Sequence, residues 1–212
     1  MIESAIVNAW QAGANEVIVS DGGSTDETCN IASLQNCILV SSLPGRGRQL
    51  NTGAKNASGD VLLFLHADVR LDPSGGQQVR NLAAQHGDEV CGAFAQRIEH
   101  DRFVYRLIEF GNRTRAAFFS MAYGDQGIFV SRALFDRVGG FPNWPLMEDF
   151  QFSRKLSKHK RYCMLPGPVF VSPRRWEANG AIRQTFSNWK TVTGFLLGAN
   201  PKRLAEDYEH GN

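Results

Sequence analysis

The sequence predicts an α/β domain in which a mostly parallel central sheet is covered by helices on both faces. Two observations favour this class. Strand and helix patterns alternate three times before residue 73, and the strands are continuously apolar, as in sheets that are buried on both sides. A third observation concerns the loops, because polar and glycine-containing loops follow the strands, where such folds bind ligands.

The first part of the chain is expected to hold three strands and their helices. Apolar residues at helical spacing predict a helix over 1–13, which Gly13 ends. Ser24 and Glu27 have capping-box spacing and predict a helix through about Leu34. The other expected elements are a helix near 48–57 and strands at 17–19, 37–40 and 61–65, the last of which is the most strongly apolar.

After Asp72 and Pro73 the pattern becomes mixed α+β. Strands are predicted at 90–98, 127–130 and 162–171, with Ser131 capping a helix after the second of them. Further helices are predicted from residue 73 to about 86, at 103–119 and at 148–157, and from 181 onward with a break at Pro201. No repeat or long linker interrupts the chain, so we expect a single domain over 1–212.

Composition excludes several classes of protein. Lys and Arg number 23 against 21 Asp and Glu, a net charge of +2, which is far from the basic excess of a nucleic-acid binder. The four cysteines are irregularly spaced with no Cys-x-x-Cys pair, so zinc and redox sites are not expected. Isolated cysteines of this kind suit a protein of the reducing cytoplasm. No signal peptide or membrane-spanning segment is apparent in the sequence.

Three polar clusters follow predicted strands, at 21–26, 44–48 and 66–68. Asp21 begins the first cluster, which could bind phosphate near a helix N-terminus or could be only a turn with a helix cap. Arg46 and Arg48 suit oxyanion recognition, although they could also be solvated surface charges. Asp68 could hold a divalent cation or could form a turn.

Glu148 and Asp149 lie just inside a predicted helix. Acidic residues there are stabilised by the helix dipole without any catalytic role. The functional alternative is that they supply the carboxylate base that a sugar transferase needs beside the acceptor hydroxyl.

Four segments together resemble the family 2 glycosyltransferases of GT-A fold. They are 19–26 (VSDGGSTD), 63–68 (LFLHAD), 124–127 (GDQG) with 139–141 (GGF), and Glu148-Asp149, and they occur in the family's order. The resemblance spans about residues 1–180. The stretch 45–51 (GRGRQLN) before Leu-His-Ala-Asp is most similar to a small bacterial branch described as radical SAM or selenodomain-associated transferases.

The resemblance implies an inverting enzyme that moves a sugar from a nucleotide-diphosphate donor to a hydroxyl acceptor. It implies a nucleotide-binding half at about 1–73, an acceptor-side half at about 74–180 and a helical tail at about 181–212. The implied roles fall into four sets: nucleotide binding by Asp21, Gly23, Arg46, Gln49 and Asn51; Mg or Mn binding by Asp68 with His66; the general base Asp149 with Glu148; and acceptor-side contacts from Arg175 and Trp176.

Three departures from the family pattern keep an alternative open. Gly22 replaces a second acidic residue, and His66 replaces the first Asp of Asp-x-Asp, so the metal would be held weakly. The family's first strand is absent, which would leave an unpaired edge beside Val17; a misassigned start site, a reordered sheet and a homo-oligomer are the three explanations. A degenerate member that acts as a non-catalytic binding or assembly module is therefore the alternative. A nucleotidyltransferase is disfavoured, because no Gly-rich loop with a phosphate-cradling Lys is present.

Two apolar groups remain. The aromatic side chains of 103–119 (Phe103, Tyr105, Phe110, Phe118 and Phe119) are interpreted as core or as a dimer face. The tail places Phe186, Trp189, Phe195, Leu196 and Leu197 beside Lys190, Lys202 and Arg203, so peripheral membrane contact is the minor alternative to a core role. We expect a cytoplasmic protein.

Overall fold

The strands form two sheets in the computed structural model, which describes residues 1–87 and 89–210. A parallel pair consists of β1 (Ile18–Asp21) and β2 (Ile38–Ser41). The second sheet has the order β3-β6-β5-β7-β4, with β3 at Val61–Phe64, β4 at Val69–Leu71, β5 at Cys91–Ile98, β6 at Ile128–Ser131 and β7 at Cys163–Val171. The α/β class is confirmed.

The expectation of a mostly parallel sheet needs correction, because the larger sheet is mixed. Only β5 and β7 pair in parallel there, whereas β3 with β6, β5 with β6, and β4 with β7 are antiparallel. Continuously apolar strands are typical of parallel sheets, which is why the sequence predicts one. That pattern reports burial on both faces and does not by itself give the direction of the partner strand.

Helices occupy both faces of the sheets. Their bounds are α1 Ile2–Gln11, α2 Thr28–Ser33, α3 Arg46–Asn56, α4 Gly75–His86, α5 Phe103–Phe119, α6 Arg132–Val138, α7 Glu148–Ser157, α8 Arg174–Asn179, α9 Ala181–Leu196 and α10 Pro201–His210, with a 3₁₀ turn at Gly124–Gln126. The predicted helices are present, but α2 begins at Thr28, three residues later than a cap at Ser24 predicts. The Ser24 hydroxyl donates to the Asp21 carboxylate instead of capping a helix. The short elements β4 and α8 were not predicted.

Two apolar clusters pack on the opposite faces of the larger sheet. Ala93 belongs to one cluster and its neighbour Phe94 to the other, as the alternation of side chains along a strand requires. The first cluster contains the aromatic rings of Phe64, Phe135, Phe141 and Phe152, and it seats α6 and α7. It thereby fixes the start of α7, where Glu148 and Asp149 lie.

The outer strands of the two sheets differ in what covers their free edges. Among the residues that the structure describes, β1 pairs only with β2, and β3 pairs only with β6. The outer edge of β4 is covered by a side chain, because the Asn8 amide of α1 donates to Leu71 O and accepts from Leu71 N, at 2.9 and 2.8 Å. Assembly into a homo-oligomer stays a prediction.

The aromatic residues of α5 divide between the core and the surface, and the dimer-face interpretation stays a prediction. Tyr105 is buried in the core, but Phe103, Phe110, Phe118 and Phe119 are exposed. In the tail, Phe186, Trp189, Leu196 and Leu197 are also exposed, and Phe195 is half-buried. No helix in residues 1–87 and 89–210 has the length and apolar character needed to cross a bilayer.

Candidate active site

Four segments that are far apart in the sequence meet at the start of α7. Arg46 comes from the first turn of α3, and its guanidinium donates to Glu148 Oε1 at 3.1 Å. The 3₁₀ turn contributes the Gly124 N–H, which donates to Asp149 Oδ2 at 2.5 Å. His66 follows β3, and its Nε2 lies so close to Gly124 that a Cβ at that glycine would collide with it. We call Arg46, His66, Asp125, Glu148 and Asp149 the central cluster.

Glu148 is the most buried carboxylate of the central cluster. Its side chain has no exposed surface; Oε1 accepts from Arg46, and Oε2 has no hydrogen-bond partner in the described chain. Burial and the charge of Asp149 raise the pKa of Glu148 from 4.5 to about 7, against the opposing charge of Arg46. The Glu148 carboxyl is therefore protonated in a fraction of the molecules near neutral pH.

Asp149 is held differently. Oδ2 accepts from the Gly124 N–H, and Oδ1 accepts from the Phe150 N–H at 2.6 Å, so both oxygens are oriented by backbone donors. Each carboxylate oxygen can accept more than one hydrogen bond, which leaves capacity for a substrate hydroxyl. The group is fixed in position and is still able to accept a proton.

His66 faces the carboxylates of the cluster. Burial, and then the charge of Arg46, lower the pKa of His66, although Asp125, Asp149 and Asp68 act in the opposite direction. The imidazole is therefore neutral at pH 7. Its Nε2 is buried and has no hydrogen-bond partner among the described residues.

Asp125 belongs to the cluster although sequence reasoning gave it no role. Its Oδ2 accepts from Gln96 Nε2 at 2.8 Å, and its Oδ1 is buried without a partner in the described chain. Burial raises the pKa of Asp125, and the negative charge of Asp149 adds to the rise. The Gly124–Gly127 segment was one of the four that carried the family resemblance, and that signal could have identified this residue.

The nucleotide-side predictions divide into two groups. Asp21 closes its own loop, because its carboxylate accepts from the backbone N–H groups of Gly23 and Ser24 and from the Ser24 hydroxyl. These bonds, led by the Ser24 hydroxyl, lower the pKa of Asp21. Gly23 allows the turn with φ of 99°, and Gln49 Nε2 donates to Ser20 O at 3.2 Å, so all three lie at the carboxyl end of β1.

Asn51 lies elsewhere. Its amide donates to Phe141 O and accepts from Phe141 N, both at 2.9 Å. It thus fastens α3 to the Gly139-Gly140 turn, and at Gly140, where φ is 65°, a Cβ would come within 2.5 Å of Asn51 Oδ1. Both groups of the amide are therefore engaged within the protein, and a part for Asn51 in nucleotide binding stays a prediction.

The two predicted metal ligands differ in environment. Asp68 is exposed in the turn from His66 to Val69, whereas His66 Nε2 is buried against Gly124. Within residues 1–87 and 89–210, no three His, Cys, Asp or Glu side chains are arranged to hold a metal ion. The donor set fits only a cation that takes one carboxylate from the protein and its other ligands from a substrate diphosphate and water, as Mg²⁺ often does.

The predicted acceptor-side residues lie in packing contacts of the C-terminal helices. Arg175 donates to the Tyr208 hydroxyl at 3.0 Å. Trp176 is buried in the second apolar cluster, with its ring edge-on to Tyr105. The structure gives neither residue a hydrogen bond or an ion pair to the central cluster.

The chain matches a protein-family model. A family model described as Glycosyl transferase family 2 matches residues 1–139, well over half of the chain. No curated protein sequence gives a significant match.

Solved structures give matches that show the fold. A Staphylococcus aureus TarS fragment in complex with UDP-GlcNAc has a TM-score of 0.60 and 18% identity, covering 80% of this chain and 54% of that one. A mannosyltransferase from Pyrobaculum calidifontis with GDP-Man and Mn²⁺ has a TM-score of 0.55 and 21% identity, covering 81% and 52%.

Glucosyl-3-phosphoglycerate synthase from Mycobacterium tuberculosis, with Mn²⁺, UDP and phosphoglyceric acid, has a TM-score of 0.52 and 18% identity, covering 94% and 74%. The chain thus spans about half of the TarS fragment and of the mannosyltransferase. These likenesses confirm a GT-A glycosyltransferase fold.

Proposed function

Because the chain belongs to glycosyl transferase family 2, we propose that it is the catalytic domain of an inverting glycosyltransferase. It would transfer a sugar from a nucleotide-diphosphate donor to a hydroxyl acceptor. The observation that carries the proposal is the central cluster, in which three carboxylates, a neutral imidazole and a guanidinium from four distant segments share one buried site. Burying charges costs stability, so such clusters concentrate at functional sites.

Asp149 is the proposed general base. Its carboxylate would accept the proton of the acceptor hydroxyl as the hydroxyl oxygen attacks the anomeric carbon of the donor. The bond from that carbon to the diphosphate oxygen breaks, the electron pair leaves with the diphosphate, and attack from the opposite side inverts the anomeric centre. Glu148 is less suited to this role, because Arg46 occupies Oε1 and its side chain has no exposed surface.

The nucleotide would lie along the carboxyl end of β1 and the start of α3. Asp21, Gly23 and Gln49 shape that edge, and the half-exposed Arg46 side chain would meet the diphosphate. Asp68 is the proposed protein ligand of Mg²⁺ or Mn²⁺, which when bound would neutralise the leaving diphosphate. Three similar structures were crystallised with UDP-GlcNAc, with GDP-Man and Mn²⁺, or with UDP and Mn²⁺, which supports the choice of ligands to test.

Two finer assignments rest on the sequence. The stretch 45–51 before Leu65-His66-Ala67-Asp68 supports the radical SAM or selenodomain-associated branch. The four cysteines are free thiols, which supports a location in the cytoplasm.

A non-catalytic binding module is the second candidate function. It is favoured by one observation, that His66 stands where the family pattern has an acidic metal ligand and points its buried Nε2 at Gly124. Such a module would bind nucleotide without turning over a nucleotide sugar.

Calorimetry with UDP and GDP, with and without Mn²⁺, tests the proposed function. We expect weak binding that Mn²⁺ strengthens, and loss of the Mn²⁺ effect in Asp68→Ala. The matched control is Asp60→Ala, another exposed aspartate, which should behave as wild type. Absence of binding to both nucleotides would overturn the proposal, and an unchanged Mn²⁺ effect in Asp68→Ala would overturn the metal assignment. Hydrolysis of UDP- and GDP-sugars by the wild type distinguishes an enzyme from the binding module.

A further inference from the structure

An apolar surface on α5 and α9 has no partner in the described chain. On α5, Phe103, Leu107 and Phe110 are spaced i, i+4 and i+7, so they share one side of the helix. On α9, Ile182, Phe186 and Trp189 have the same spacing. These six side chains are 51–79% exposed, and we call them the α5–α9 face.

A groove of about 400 Å³ runs between the two helices. Leu107, Ile182, Phe186 and Trp189 line it, together with Val104 and Ile108. Monomeric water-soluble proteins rarely expose a continuous apolar area of this kind unless it binds something.

The exposed charges of these two helices are all positive. Arg113 of α5 and Arg183 and Lys190 of α9 are exposed, and none forms an ion pair with the described residues. Glu109, the one acidic residue of α5, turns inward, where it accepts from Ile98 N and pairs with Arg106. No acidic residue occurs in α9.

We propose that the α5–α9 face binds the headgroup region of an anionic lipid bilayer. Amphipathic helices that lie in a membrane interface combine aromatic and aliphatic side chains with Lys and Arg, and anionic lipids attract the basic residues. A second copy of the chain is a poorer occupant. A two-fold contact would bring Arg183 and Lys190 of both copies together without acidic partners, and like charges oppose association.

The same face lies beside the candidate active site. Asn112 lines the groove and donates to Gln96 Oε1 at 2.8 Å, and Gln96 in turn donates to Asp125 Oδ2 at 2.8 Å. A bilayer on this face would therefore be connected to Asp125 of the central cluster through the two hydrogen bonds of Gln96. The inference goes beyond the proposed sugar transfer and does not depend on it.

Vesicle co-sedimentation tests the proposal. We expect the protein to bind vesicles of equal phosphatidylcholine and phosphatidylglycerol, to bind pure phosphatidylcholine at least about tenfold more weakly, and to be released by high salt. Phe186→Ser with Trp189→Ser should abolish binding, and Arg183→Glu with Lys190→Glu should weaken it by about tenfold or more. Circular dichroism confirms that each double variant is folded.

The controls use exposed residues far from this face. Leu34→Ser and Lys158→Glu should bind the anionic vesicles as the wild type does. Failure of the wild type to bind them, equal loss in the control variants, or unchanged binding in both double variants would overturn the proposal. A dimer in analytical ultracentrifugation that the Phe186→Ser and Trp189→Ser changes dissociate would overturn it in favour of a second copy.

Discussion

Asp21 and Glu148 are both acidic residues of the candidate site, yet the structure shifts their pKa values in opposite directions. Asp21 sits in a loop that its own carboxylate organises, and hydrogen bonds from Ser24 and Gly23 lower its pKa. Glu148 is buried beside Asp149, and burial raises its pKa to about 7. Hydrogen-bond donors decide the first case, and loss of water decides the second.

The two carboxylates are therefore expected to serve different roles, one in nucleotide binding and one in the site of proton transfer. The Asp21 loop keeps a negative charge at the carboxyl end of β1, where it costs little because backbone N–H groups and the Ser24 hydroxyl donate hydrogen bonds to it. The central cluster holds acids whose protonation is sensitive to the surroundings, as proton transfer requires. We therefore expect changes in the cluster to affect turnover and changes in the loop to affect nucleotide affinity.

The largest expected effect is on turnover. Asp149→Asn keeps an oxygen for one backbone donor but removes the proton acceptor, so kcat should fall by about a hundredfold or more. UDP affinity measured by calorimetry should stay near that of the wild type. Asp21→Asn is the comparison variant and should weaken nucleotide binding more than it lowers kcat. Equal loss of affinity and kcat in Asp149→Asn would mean that the residue is structural.

The second expected effect is the contribution of Glu148 to the pH dependence of stability. The folded protein binds the Glu148 proton more tightly than the unfolded chain does, so this contribution is complete below pH 4.5 and is lost as pH rises through about 7. Chemical denaturation should show the free energy of unfolding falling by about 3 kcal/mol over that window.

Glu148→Gln is the control for this effect, because glutamine keeps the shape and cannot titrate. Its stability should vary less between pH 4.5 and 7 than that of the wild type. His66 acts in the opposite sense: its lowered pKa makes the folded protein more stable as pH rises toward 6.5. If the variant keeps the whole wild-type slope, the decline belongs to another group, such as Asp125.

The same comparison explains which features could be predicted from sequence. The Asp21 loop depends on neighbours within three residues, so the sequence shows its parts, although the Ser24 hydroxyl was assigned to a helix cap instead of to Asp21. Glu148 and Asp149 were recognised through the family resemblance. Their environment depends on Arg46 and Gly124, which lie 102 and 25 residues away in the chain.

Other features have the same physical origin. Nothing local to Asn51 shows that the backbone of Phe141 engages both groups of its amide. The direction of the strands was also missed, since antiparallel neighbours such as β3 and β6 are far apart in sequence. Interactions between distant segments decide these features, and a local pattern does not contain them.

Asn51→Ala should show a smaller, purely structural effect. It removes both hydrogen bonds to Phe141 and leaves two backbone groups without that partner, so the free energy of unfolding should fall by about 1–2 kcal/mol. Arg48→Ala, which removes a single exposed bond to Asn143 from the same helix, is the matched control and should cost less. An Asn51→Ala protein of normal stability but weakened UDP binding would contradict this expectation and support the predicted role of Asn51 in nucleotide binding.

The smallest expected effect is on the stability of the Asp21 loop. Asp21→Asn keeps an acceptor oxygen but removes its charge, so the free energy of unfolding at pH 7 should fall by only about 0.5–1 kcal/mol. Because the pKa of Asp21 is lowered in the folded protein, its contribution is present above pH 3.8 and is lost as pH falls below that value. This pH dependence has the opposite sign to that of Glu148. Denaturation of Asp21→Asn and Glu148→Gln at pH 3, 5 and 7 measures both contributions. A wild-type stability curve that Asp21→Asn leaves unchanged at acidic pH would show that the loop carboxylate is not held more favourably in the fold than in the unfolded chain.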